Sequence, residues 1–190
     1  AKLRGGMGGD GGMAGSGGMA GGGSGGEGGI LARSVEDFSG TQGFRGWHYG
    51  YVAPATSTAF QLMTEFDGSI WHVQNGTYWT RVTQEGGHPN GVITTSGRVS
   101  VDHWSVRRWV SSVSGNVTIH GEVANLDASQ NGVAARVVVD GATLWSDVVV
   151  GVASPGSPYS IQASVSVGST IDLVIDPYQS HDLQDTFRFT

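Results

Sequence analysis

From Asn116 to Val123 the chain alternates: Val117, Ile119, Gly121 and Val123 fall in one phase, and Asn116, Thr118, His120 and Glu122 in the other. Successive side chains of an extended chain point to opposite faces, so this pattern writes a strand with one buried and one wetted face. The same period runs through Tyr159, Ile161, Ala163, Val165 and Val167, and no stretch carries the 3.6-residue apolar period that a packed helix needs. The chain is therefore constrained to an all-β fold.

Turn chemistry divides the strands. Asp140-Gly141 separates the β-rich runs Val133 to Val139 and Ala142 to Val150, and Asp-Gly in that setting predicts a two-residue type I′ hairpin. Gly168-Ser169, ahead of Ile171, Leu173 and Ile175, predicts a second tight hairpin. Further strands are expected around Phe38, Trp47 to Tyr51, Phe60 to Phe66, Ile70 to Val73, Tyr78 to Val82, Ser105 to Val110 and Thr186 to Phe189, with loops at Glu85 to Asn90 and Ser154 to Pro158. About ten short strands with such spacing predict a two-sheet β-sandwich of jelly-roll type over residues 30–190.

Residues 1–29 read as a separate Gly-rich extended arm. From Gly5 to Gly29 the tract runs in triplets with Met7, Met13 and Met19 in alternate ones. Such a tract is either a flexible linker or a polyproline II-like helix with three residues per turn, in which Met would line one edge. Ordering it costs about 1–2 kcal/mol per residue, and three methionines at about 2 kcal/mol each do not offset that. Order would have to come from backbone hydrogen bonds to partners, with Gly11, Gly12 and Gly15 admitting close backbone approach and Ile30 and Leu31 anchoring the base. As a polyproline II-like helix the tract would span about 75 Å, against a radius of gyration of about 15 Å for the rest. Its natural partners would be other copies of the chain.

The net charge of −6, with Lys2 the single lysine, argues against nucleic acid or an anionic membrane as partner, since both require clustered cations. Without cysteine there is no disulfide, thiolate nucleophile or Cys-based zinc site. No run of about 20 apolar residues exists to span a bilayer as a helix. The chain begins without Met and without a signal-peptide core, which reads as a mature or truncated product. The Gly, Ser, Thr and Val character suggests a secreted or cell-surface protein.

Several short stretches carry a family resemblance: Asp37-Phe38-Ser39-Gly40-Thr41-Gln42-Gly43, Gly46-Trp47-His48-Tyr49-Gly50-Tyr51, Ser105-Val106-Arg107-Arg108-Trp109, and Val174-Ile175-Asp176-Pro177 followed by Asp182 and Asp185-Thr186. Together they resemble jelly-roll domains of secreted bacterial surface proteins, of the kind appended to polysaccharide-active enzymes. The resemblance covers most of the chain after Val35. It implies an extracellular, non-enzymatic β-sandwich with carbohydrate as the candidate ligand, and it does not extend to the Gly-rich tract.

Trp47, Tyr49 and Tyr51 share one face of a strand. Three flat rings in a row either stack on sugar rings as an exposed platform or belong to the core, as alternation on one face equally allows. The remaining tryptophans, Trp71, Trp79, Trp104, Trp109 and Trp145, read as core or subunit contacts. Glu36 and Asp37 lie near the first strand and Asp182 and Asp185 near the last, so their hard oxygens form a candidate structural calcium site if those strands are neighbours. Otherwise they are solvated loop carboxylates, and no other cofactor is indicated.

No catalytic constellation stands out. None of the six histidines is metal-spaced with another, and Asp102-His103 and His181-Asp182 are adjacent in sequence, which in a strand points them apart. Gly22-Gly23-Ser24-Gly25-Gly26 matches a nucleophile-elbow pattern but lacks the flanking strand and helix. Asn75 and Asn116 sit in N-glycosylation acceptor triplets, and Thr56, Ser57 and Thr58 form a candidate O-glycan cluster. Two functions remain open: a structural subunit of an extracellular fibre or surface assembly connected through the arm, or a carbohydrate-binding module with the tract as linker.

Overall fold

The computed structural model describes residues 1–6, 29–95, 97–127, 131–152, 156–183 and 185–190. Among them the strands form two packed antiparallel sheets, an all-β sandwich. Its strands are β1 (Lys2–Gly5), β2 (Ile30–Arg33), β3 (Trp47–Ala53), β4 (Ser57–Leu62), β5 (Glu65–Phe66), β6 (Trp71–His72), β7 (Arg81–Val82), β8 (Gly86–His88), β9 (Trp104–Val110), β10 (Gly115–Asn125), β11 (Val133–Val139), β12 (Ala142–Val149), β13 (Ser157–Val165), β14 (Thr170–Pro177) and β15 (Phe187–Phe189). The six-stranded sheet has the order β12-β11-β14-β9-β3-β4. The larger sheet runs β2-β1-β10-β15-β8-β7-β6-β5, with β13 on the other edge of β10. Among the described residues, no helix is long and apolar enough to cross a membrane.

β10 is the hub of the larger sheet. β13 pairs with it from Gly115 to Val123, while the opposite edge takes β1 from Val117 to His120 and then β15 from Val123 to Asn125. The alternation read from the sequence is the reason: Val117, Ile119 and Val123 are buried and face the second sheet, while Asn116 is exposed and His120 half-buried. Facing them across the core are Trp47, Tyr49, Trp109, Val137, Ile171, Leu173 and Ile175. A ring contact joins the layers, with Trp145 5.1 Å from Tyr159, and within the larger sheet Tyr159 stands edge-on to Phe189 at 5.6 Å.

One cation sits in this core. Arg107 is 3% exposed, and its guanidinium donates to the carbonyls of Ser34, Thr83, Gln84 and Gly86. Burial lowers its pKa to about 10, which still leaves it charged at neutral pH. Four carbonyls, instead of a carboxylate, take up its two terminal nitrogens, while Nε has no partner, and they fasten the segment before β8 to the core.

The hairpin at Asp140-Gly141 forms as its sequence predicts. Both residues have positive φ, 47° and 84°, as a type I′ turn requires, and both are exposed. Gly168-Ser169 does not close a hairpin. β13 belongs to the larger sheet and β14 to the smaller, so the turn carries the chain from one layer to the other and docks on Ser111 through the Gly168 N–H at 2.8 Å. A positive φ of 90° at Gly168 suits either kind of turn, which is why sequence could not separate them.

Two further expectations are corrected. The segment Glu85 to Asn90 contains strand β8, where the glycines are required by close packing: a Cβ at Gly86 would lie 1.7 Å from the Phe187 carbonyl oxygen. The sandwich also does not begin at residue 30. β1 pairs with both β10 and β2, Leu3 is fully buried, and the Gly5 N–H donates to the Gly29 carbonyl at 3.2 Å. The Gly-rich tract thus joins two neighbouring antiparallel strands of one sheet, instead of preceding the domain as an arm. Residues 7–28, which include Met7, Met13, Met19, Gly11, Gly12 and Gly15, lie outside the described residues.

Candidate functional site

The strands of the smaller sheet turn their odd-numbered residues inward on β3 and β9, which sends the even-numbered ones to the outer face. His48 pairs with Arg108, Gly50 with Val106 and Val52 with Trp104 between these strands. Asp172 pairs with Arg108 and Val174 with Val106 on the next strand, and Arg136 and Val138 of β11 complete the row. Phe60 reaches the same face from β4. Gly50 makes room for it, since a Cβ there would lie 2.5 Å from the Phe60 ring. A glycine in mid-strand commonly marks such a close approach.

The result is a cleft of about 420 Å³ whose walls include Phe60, Trp104, Arg108, Arg136 and Asp172, with Thr58 and Thr143 at its margin. Each arginine is held twice. Arg108 donates through Nε and Nη2 to the two oxygens of Asp172, both at 2.7 Å, and its Cζ lies 4.2 Å from the Phe60 ring centroid. Arg136 pairs with Asp176, and its Cζ lies 4.8 Å from the Trp104 ring. Burial raises the Asp176 pKa, with Arg136 acting against the shift. At the neighbouring position, burial first and Arg108 second hold the His48 imidazole below its ordinary range. The face thus presents two fixed rings beside fixed donors and acceptors.

A second hollow, of about 520 Å³, opens where β3, β4 and β6 end, and its lining includes Tyr51, Gln61, Met63, His72, Tyr78 and His103. The His103 ring lies 4.9 Å from Tyr51 and 4.6 Å from Tyr78. Burial keeps His103 below its ordinary pKa range, and the Tyr51 hydroxyl donates to Gln61 Oε1 at 3.0 Å. At its rim His72 Nε2 stands 2.9 Å from Asp67 Oδ2, and this bond first, then the N–H groups of Ser69 and Ile70, depress the Asp67 carboxyl.

The ring platform expected on β3 is not exposed. Trp47 and Tyr49 are 1% and 0% exposed and belong to the core, because their phase of the strand faces the opposite sheet. Tyr51 shares that phase but lies at the strand's end, where it lines the second hollow. The rings on the outer face come instead from Phe60 and Trp104. The signal for them was the even-numbered register of the same strand, set by His48, Gly50 and Val52.

The proposed calcium quartet is also divided. Asp37 is buried against Arg45 at 3.2 Å and accepts the Arg33 N–H, while exposed Glu36 pairs with Arg33. The acidic neighbours felt by Asp185 are Asp182, Asp127 and Asp176. Ile30 and Leu31 lie on β2 at the base of the tract, with Leu31 packed against the core and Ile30 41% exposed. Asn75, Asn116, Thr56 and Thr58 are exposed and Ser57 is half-buried. Neither adjacent Asp-His pair is joined by a hydrogen bond. His103 Nδ1 meets Thr80 Oγ1 at 3.2 Å, Asp102 accepts from Ser180 and Val92, and Asp182 Oδ2 accepts the Gly91 N–H.

Comparison of the chain with family models, with curated proteins and with solved structures gives no match.

Proposed function

We propose that this protein is a carbohydrate-binding β-sandwich module whose ligand lies across the outer face of the six-stranded sheet. The observation that carries this reading is the joint placement of the Phe60 and Trp104 rings with Arg108, Asp172 and Arg136 in one open cleft, each arginine fixed by a carboxylate partner. A sugar ring has an apolar face that stacks on an aromatic ring and a rim of hydroxyls that both donate and accept. Fixed guanidinium and carboxylate groups beside fixed rings answer both features, and neither has to be ordered on binding. The open shape suits a chain of sugars better than a small enclosed ligand.

Retention on a panel of insoluble polysaccharides tests the reading. The wild-type chain should be retained on at least one, and Trp104→Ala or Phe60→Ala should weaken retention about tenfold or more, with little change in melting temperature because both rings are only partly buried. Equal retention of wild type and both variants would remove the cleft from the account.

Assembly through the Gly-rich tract is the second reading. It is supported by β2, which is the edge strand of the larger sheet and adjoins the tract, with Ile30 exposed beside it. Because both ends of the tract are held on one sheet, it would act as a loop offered to a neighbouring copy and not as a spacer between domains. Replacing residues 7–28 by a short turn, with β1 and β2 kept, should then abolish filaments seen by electron microscopy of the intact chain. Filaments that persist would refute it.

A further inference from the structure

Just before β15 the chain buries two carboxyl groups with few polar partners. Asp182 is 1% exposed and Asp185 0% exposed. Asp182 accepts the Gly91 N–H through Oδ2 at 2.8 Å and feels the Thr94 hydroxyl and His181, while Asp185 has a partner for neither oxygen. Asp127 stands alongside, its Oδ2 accepting the Thr186 N–H at 3.1 Å. Among the described residues none of the three forms an ion pair. Arg81 is near enough to Asp127 to sense its charge, and Arg136 is engaged by Asp176.

A neutral oxygen in the same region is also unpaired. The Asn131 amide donates through Nδ2 to the carbonyls of Tyr178 and His181, which fixes its orientation, and Oδ1 is left buried without a partner. An unpaired buried carboxylate is costly, and it is relieved either by a proton or by a cation. A proton on Asp185 would cancel one charge. It would leave the Asp182 and Asn131 oxygens as they are and add a hydroxyl that needs an acceptor of its own.

We propose that Asp182, Asp185 and Asn131 bind a hard divalent cation, calcium, with Asp127 as a flanking negative charge. Carboxylate and amide oxygens are the donors calcium takes, and its six to eight ligands leave places for backbone carbonyls and water. Such a site would tie the chain before β15 to the chain before β11. It differs from the pairing expected from sequence, since Glu36 and Asp37 have arginine partners of their own.

The test uses the full chain stripped with a chelator. Calorimetric titration should show one calcium bound per chain, and millimolar calcium should raise the melting temperature by about 5 °C or more. Asp185→Asn and Asn131→Ala should each lose both effects, while Glu36→Gln should keep them. If Asp185→Asn proves too unstable to titrate, Asn131→Ala alone decides. No bound calcium in the wild type overturns the site, as does unchanged binding in Asn131→Ala. A stripped wild type that binds no calcium while Asp185→Asn is the more stable protein would identify Asp185 as a buried protonated acid.

Discussion

Arg108 and Asp172 face each other on adjacent strands and meet through two hydrogen bonds of 2.7 Å each, with the Phe60 ring lying against the guanidinium. The pair is partly exposed, so its weight in stability is modest. Its consequence is geometric, because a fork-to-fork pair fixes the plane of the guanidinium at the wall of the cleft.

Asp172→Asn should therefore act on binding more than on folding. We expect a loss of about tenfold in affinity for the polysaccharide that retains the wild type, with the melting temperature within a few degrees. A comparison of binding isotherms and thermal melts reads both effects.

Arg107, the next residue along, turns the other way and shows the contrast. Arg107→Met removes the guanidinium from four carbonyls, of which those of Ser34 and Gly86 are met in buried contacts, and we expect a loss of about 3 kcal/mol in urea denaturation. Arg107→Lys should recover little of it, since one ammonium does not reach all four acceptors.

Two glycines should respond differently to alanine. At Gly141 nothing lies within 4 Å of an added Cβ, so only the positive φ opposes it, at about 1 kcal/mol. At Gly86 the Cβ would strike the Phe187 carbonyl, and the β8–β15 pairing must part to admit it, at about 3 kcal/mol. Equal losses in chemical denaturation would contradict the strand assignment of β8.

His88 predicts a pH effect. Its ring is buried against Trp79, and burial lowers its pKa to about 4, against about 6.5 in an unfolded chain. Between those values the unfolded chain binds more protons, so the stability tied to neutral His88 is complete above pH 6.5 and is lost as pH falls toward 4, by about 3 kcal/mol. Asp176, Asp182 and Asp185, which burial raises, act in the opposite sense over this range. The difference between wild type and His88→Phe is therefore the measurement, and it should shrink on acidification.

The parts of this architecture carried by local rules were legible in the sequence. Alternation at Val117, Ile119 and Val123 gave the buried face of β10, and Asp140-Gly141 gave a type I′ tip. What sequence left open depends on which elements meet. Trp47 and Tyr49 against His48 and Gly50 is a choice between two phases of one strand, and only the position of the second sheet decides which phase is core. Asp182 and Asp185 were visible as acidic residues, but Asp127, whose charge Asp185 feels, and Asn131, which donates to the His181 carbonyl, come from about fifty residues away or more. The glycines of β8 read as a loop because the need for them, the Phe187 carbonyl, lies about a hundred residues along the chain.

The most direct test of the binding account is a titration of the labelled chain with soluble oligosaccharides from the polysaccharide that retains it, followed by NMR of the tryptophan indole and arginine side-chain N–H signals. The account predicts shifts concentrated at the Trp104 indole and at Arg108 and Arg136, with the buried Trp47 and Trp109 indoles unmoved. Shifts gathered instead around Tyr51, Tyr78 and His103, or none at all, would contradict it.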